Sequence, residues 1–149
     1  MNRSPNLISR ILQIQTLVFA PVLISAPALA GELTVHINNV EGTNGKVMVA
    51  VLDSESAFNG ETPAVLSLLM PPRPGSLTFS TDALADGHYG IRVMVDENGN
   101  GDMDSNMVGM PTEAWGFSNN AVGSFGPPSW SDIRFELNGT TSIAIDLNH

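Results

Sequence analysis

Cysteine is absent from the 149 residues. That removes disulfide scaffolds, thiolate-ligated zinc, iron–sulfur clusters and thiol catalysis in one step. Positive charge is scarce: 6 Lys and Arg stand against 15 Asp and Glu, a formal charge of −9. A surface of that sign repels phosphate backbones, so nucleic acid is not expected as a partner. A sustained helical period is missing too, which argues against bundles and α/β folds. With 42% hydrophobic and 14% charged residues, the chain is too apolar and too weakly charged to stay disordered. Its length allows one ordinary domain.

What is present begins with a leader. Arg3 and Arg10 precede a mostly apolar stretch from Ile11 to Ile24, and Ala28-Leu29-Ala30 follows. This is the layout of a secretory signal peptide cut after Ala30. The apolar stretch falls short of the ~20 residues of a spanning helix and carries Gln13 and Gln15, so no stable membrane insertion is expected after processing. The organisation read from the sequence is a signal peptide, 1–30, and a single domain, 31–149. Processing leaves Lys46, Arg73, Arg92 and Arg134 against 15 acids, a formal charge of −11. Such a domain, exported to the periplasm or the cell exterior, attracts cations. Without cysteine it draws its stability from its core or from a metal.

From Glu32 onward, period-two alternation dominates. Leu33, Val35 and Ile37 alternate with Thr34, His36 and Asn38, and Tyr89, Ile91, Val93 and Val95 alternate with Gly90, Arg92 and Met94. Leu77 and Phe79 form a shorter run of the same kind. Lys46 to Leu52 is apolar on both faces after its lysine, as in a central strand between packed layers. Ala64 to Met70 reads as strand or helix, and Pro63, Pro71 and Pro72 leave little room for the helix. Asn44-Gly45 is a strong turn signal, and Asn138-Gly139 predicts a hairpin joining Ile133, Phe135 and Leu137 to Ile143, Ile145 and Leu147. The pattern predicts an all-β fold, an antiparallel β-sandwich of about seven strands; a closed barrel is the alternative. The connection 96–132 is far longer than the roughly 12–15 residues at which loops become uncommon. It carries Trp115, Phe117, Phe125 and Trp130, which predicts an ordered loop with an aromatic plug folded onto the sandwich.

That loop opens on Asp96-Glu97-Asn98-Gly99-Asn100-Gly101-Asp102-Met103-Asp104. Counted from Asp96, oxygen-bearing side chains stand at the first, third, fifth and ninth places with glycine at the sixth, as in a calcium loop. The seventh place, Asp102, contributes main chain in such loops. The twelfth place is Met107 where a bidentate glutamate belongs, and a strand precedes the loop, so this is not an EF-hand. Glu113 is the nearest downstream acid to replace that ligand, ahead of Glu97. The candidate metal set is Asp96, Asn98, Asn100, Asp102, Asp104 and Glu113, holding calcium weakly at about 10⁻⁴–10⁻³ M. The alternative is a bare turn, since Asn-Gly pairs and aspartates also cap their own backbone.

No catalytic constellation stands out. His36, His88 and His149 lack zinc-site spacing. Gly116-Phe117-Ser118-Asn119-Asn120 lacks the second glycine of a serine-nucleophile elbow. Glu113 with Asp96 or Asp104 would serve as a glycosidase pair only at the expense of the metal set. A non-enzymatic role in binding or structure is therefore expected, with an unknown protein or carbohydrate partner. The alternatives are a carbohydrate-binding module stacking sugars on Trp115 and Trp130, and a carboxylate-based hydrolase.

Four segments together resemble a known family. Leu84-Ala85-Asp86-Gly87-His88-Tyr89-Gly90-Ile91 is similar to its L-x-x-G-x-Y-A-I, with Gly90 in place of alanine and no consequence expected from that. The Asp96–Asp104 run is similar to its D-E-N-x-N-G-x-x-D. Gly109-Met110-Pro111-Thr112-Glu113-Ala114-Trp115-Gly116-Phe117-Ser118-Asn119-Asn120 is similar to G-x-P-x-E-x-[YW]-G-F-S-N-N, and Gly126-Pro127-Pro128-Ser129-Trp130 to G-P-P-S-[FW]. These are the motifs of the bacterial exported family named domain of unknown function 2141. The resemblance covers essentially all of 31–149 and implies an exported immunoglobulin-like or transthyretin-like sandwich, with no activity to carry over. It joins the acidic loop to the Gly109–Asn120 segment as one signature, in which Asn119 and Asn120 tie the loop down.

Overall fold

The computed structural model describes residues 30–149, so the expected signal peptide lies outside the described residues except for Ala30. The chain runs β1 (Ala30–Val40), β2 (Lys46–Leu52), α1 (Glu55–Phe58), β3 (Leu66–Met70), β4 (Gly75–Ala85), β5 (Gly87–Asp96), β6 (Trp115–Phe117), α2 (Trp130–Ile133), β7 (Phe135–Leu137) and β8 (Thr140–Asp146). The fold is mostly β. Three strands form one sheet in the order β4-β1-β8. Five form the other, β3-β2-β5-β6, with β7 also on β5.

Alternation decides which side chains meet between the sheets. Leu33, Val35 and Ile37 of β1, Val47, Val49 and Val51 of β2, Ile91, Val93 and Val95 of β5, and Ile145 of β8 are all buried in one cluster. Each such side chain contributes roughly 1.5–3 kcal/mol of burial. A register slip by one residue would turn every one of them to the outside, so the pattern itself holds the ladders in register.

Several expectations change. The hairpin across Asn138-Gly139 does not form. The three residues of β7 pair with β5, while all seven of β8 pair with β1 from Glu32↔Thr140 to Asn38↔Asp146. A three-rung hairpin would forgo the longer ladder, so the chain crosses between sheets instead. That ladder is parallel, so the assembly is not antiparallel throughout. Asn44-Gly45 likewise joins strands of different sheets, since β1 pairs with β4 and β8 while β2 pairs with β3 and β5. Ala64 to Met70 resolves as strand β3, and β2 is central in its sheet. On its second face Leu52 is buried in a smaller cluster with Ala57, Phe117 and Ile133, and Ala50 packs against it, while Met48 is half-buried, so a second packed layer covers only that end of the strand.

The strand count rises to eight because β6 lies inside the long connection. Two short strands thus share one edge of β5: β7 takes Gly87–Tyr89 and β6 takes Arg92–Met94. Ser118 closes the gap between them. Fully buried, it accepts a hydrogen bond from the Ile91 N–H at 2.9 Å and donates one to the Ile133 carbonyl at 2.5 Å. α2 lies over Gly90, where a Cβ would sit 2.7 Å from Ile133 Cδ1 and 2.8 Å from the Trp130 ring. The glycine at the position of the family's alanine therefore has a consequence after all: it is what lets α2 lie this close to the sheet.

Candidate functional site

The acidic turn leaves β5 at Asp96, which pairs with Lys46. Beneath it Gly45 adopts φ +81°, and a Cβ there would sit 2.0 Å from the Asp96 carbonyl oxygen. The Asn44-Gly45 turn thus serves close approach of two chain segments. Asp96 is buried, and its carboxylate accepts the N–H of Gly99 at 2.7 Å and of Gly101 at 3.1 Å. Asn98 and Asn100 accept the N–H groups two residues on, those of Asn100 and Asp102. Their side-chain amides both donate to the carboxylate of Asp104, Asn100 at 3.1 Å.

Glu113 completes the arrangement from the far end of the excursion. It is 5% exposed, and its two oxygens accept the N–H of Glu97 at 2.9 Å and of Asp104 at 3.0 Å. One carboxylate therefore ties both ends of the turn to the strand that enters β6. The structure brings Asp96, Asn98, Asn100, Asp104 and Glu113 together through these bonds, while the Asp102 side chain is exposed. Among the described residues, no three acidic or histidine side chains gather closely enough to share an ion. His36 bonds Thr78 on the outer side of β1, His88 is exposed, and His149 reaches the Asn39 carbonyl.

The Gly116–Asn120 segment is a clamp. A Cβ on Gly116 would meet Ile145 Cγ2 at 2.8 Å. Asn119 and Asn120 adopt φ 61° and 50°, the left-handed region that asparagine tolerates better than most residues. Asn119 donates to the carbonyls of Asp132 and Arg134. Asn120 accepts the Asp146 N–H and donates to the Asp146 carboxylate. The two asparagines tie the loop to α2 and β8, as expected. The aromatic plug is smaller than expected. Phe117 is buried edge-on against Trp115 and Phe58, Trp130 packs on the same cluster, and Phe125 stands fully exposed.

A second feature was missed in the sequence. The outer face of the five-stranded sheet presents two rows across its strands, Leu69–Met48–Met94–Trp115 and Ser67–Ala50–Arg92–Phe117. The loop residues 101–111 and 122–127 stand over these rows and enclose a groove of about 1080 Å³. Seven large hydrophobic side chains are exposed among the described residues, and five of them line this groove: Leu69, Val108, Met110, Val122 and Phe125. The available signal was the run of methionines at 48, 94, 103 and 110, which no periodicity links because they lie on two strands and a loop.

No curated protein and no solved structure matches the chain. A family profile matches residues 35–144. The chain therefore belongs to the bacterial family of uncharacterised proteins DUF2141.

Proposed function

We propose that this is an exported, non-enzymatic binding module, a sandwich of immunoglobulin-like or transthyretin-like kind, whose ligand site is the apolar groove on the outer face of the five-stranded sheet. The observation that carries the reading is the gathering of five exposed hydrophobic side chains along one groove. Scattered apolar residues are ordinary on a protein surface, whereas a contiguous concave patch marks a binding site. The acidic turn has a part in it: the chain it anchors supplies Met103, Val108 and Met110 to the groove wall. Glu113 holds that wall and does no chemistry. The test is uptake of a neutral, polarity-sensitive dye by the folded protein. Enhanced emission that Met94→Glu abolishes is expected; a dye that stays dark, or one equally bright with Met94→Glu, refutes the groove. A sugar that quenches Trp115 while the dye stays dark would favour the carbohydrate reading.

The turn itself carries a second proposal, weak calcium binding. Asn98 and Asn100 both donate to the Asp104 carboxylate, and Asp96 accepts the Gly99 N–H in the same turn, so a divalent ion taken up at Asp104 would replace two neutral donors and stiffen the groove wall. A rise in melting temperature with millimolar calcium over chelator is expected. No shift at about 10 mM, roughly ten times the weak-end dissociation constant, refutes it.

A further inference from the structure

Resting on the groove reading, we propose that its ligand is a single-chain carboxylate amphiphile of the fatty-acid class, with its headgroup on Arg92. One cation, Arg92, and one acid, Asp102, stand among the residues that line the groove. Arg92 lies on the sheet's outer face between Ala50 and Phe117, and its side chain is exposed. Among the described residues no carboxylate lies within 4.0 Å of its guanidinium, the one close acid–base pair being His149 with Glu41. A neutral apolar ligand would cover this charge and strip its water with nothing in return, which is costly. An anionic head supplies the missing partner, and a guanidinium meets a carboxylate through two parallel hydrogen bonds.

The tail has a track next to that head. The row Leu69–Met48–Met94–Trp115 crosses four strands. At ~4.8 Å between strands it spans about 14 Å, the reach of a chain of roughly ten to twelve carbons. Methionine side chains are flexible and polarizable, so they adapt to an alkyl chain without demanding one shape. Met103 and Met110 face the same groove from the loop side. A carboxylate brings one negative charge to one guanidinium. A phosphate headgroup would leave surplus negative charge on a domain of 15 acids and four bases, which its own field opposes.

The experiment is calorimetric titration of the purified protein with dodecanoate, dodecanol and dodecyltrimethylammonium, each below its micellar concentration. Dodecanoate is expected to bind, with brominated dodecanoate quenching tryptophan emission in the protein but not in Trp115→Phe. Arg92→Gln is expected to weaken dodecanoate roughly tenfold or more, the worth of one charge-assisted hydrogen bond, and to leave dodecanol no weaker, since the charge that a neutral ligand would have to desolvate is gone. Equal binding of dodecanoate and dodecanol, both indifferent to Arg92→Gln, overturns the headgroup assignment while the groove reading stands. Failure of all three ligands with the neutral dye still bound also overturns it. Failure of all three together with the dye overturns the groove reading as well. Preference for an amphipathic peptide over dodecanoate would make the occupant a protein and overturn the proposal too.

Discussion

Replacing Glu113 by glutamine separates a clamp from a metal ligand. The side chain is buried at 5% exposure, and each oxygen accepts one backbone N–H, from Glu97 and from Asp104. The substitution keeps the volume and removes the charge. Whichever way the new amide turns, its NH₂ faces a backbone N–H that has lost its acceptor. A hydrogen bond to a charged group contributes about 1.5–3 kcal/mol, and an orphaned buried donor costs about 1–3. The remaining bond, now neutral, weakens as well. The expected loss is about 2–3 kcal/mol, measured as a shift of the urea midpoint at constant slope. In a domain of this size that is a fall of about 8–12 °C in melting temperature. The decisive comparison is between chelator and calcium. A clamp costs the same in both, because its partners are main-chain groups. A loss confined to the calcium-loaded protein would make Glu113 a metal ligand, and a variant within about 0.5 kcal/mol of the parent in chelator would refute the clamp.

Three further outcomes follow from the packing. Ser118→Ala leaves the Ile91 N–H and the Ile133 carbonyl without their buried partner, so a loss of about 2–4 kcal/mol is expected on denaturation; an unchanged midpoint would show that water replaces the hydroxyl. Gly90→Ala would gain a few tenths to 1 kcal/mol in an open strand position. Here the added Cβ meets Ile133 and Trp130, so a net loss of about 1–3 kcal/mol is expected, and a variant as stable as the parent contradicts the close seating of α2. Tyr89, the one tyrosine of the chain, donates its hydroxyl to the Ala85 carbonyl at 2.9 Å. Burial, then the charges of Asp53 and Asp86, push its phenol above the ordinary value of 10.0. The folded value exceeds the unfolded one, so this stabilisation is full below about pH 10 and is lost as pH rises through the folded value. Phenolate absorbance should titrate at higher pH in the native than in the urea-unfolded protein, and coincident curves would refute the shift.

Much of this was legible in the chain itself. Alternation at Leu33–Ile37, Lys46–Leu52 and Tyr89–Val95 reports which side chains turn inward, because a strand's faces differ by one residue and burial selects one of them. The Asp96–Asp104 spacing marked a tightly bonded turn, since side-chain oxygens two residues apart meet the next amides along. Glu113 was singled out only as a metal ligand, because its distance downstream carries no sign that its two oxygens would take the Glu97 and Asp104 N–H groups. The Asn138-Gly139 dipeptide misled, for it specifies a reversal and says nothing of which edge the next strand will find. β6 escaped notice because three residues carry no period.

The amino-acid sequence alone determined the β class, the inward faces and the acidic turn, all properties of neighbours in the chain. The tertiary structure alone decided that β8 lies parallel to β1, that Ser118 bridges the gap between β6 and β7, and that Gly90 receives α2. It also decided that Arg92 stands beside a methionine row under a loop that begins at the acidic turn. Those contacts join segments far apart in the chain, and only the competition for free strand edges and for close packing selects them.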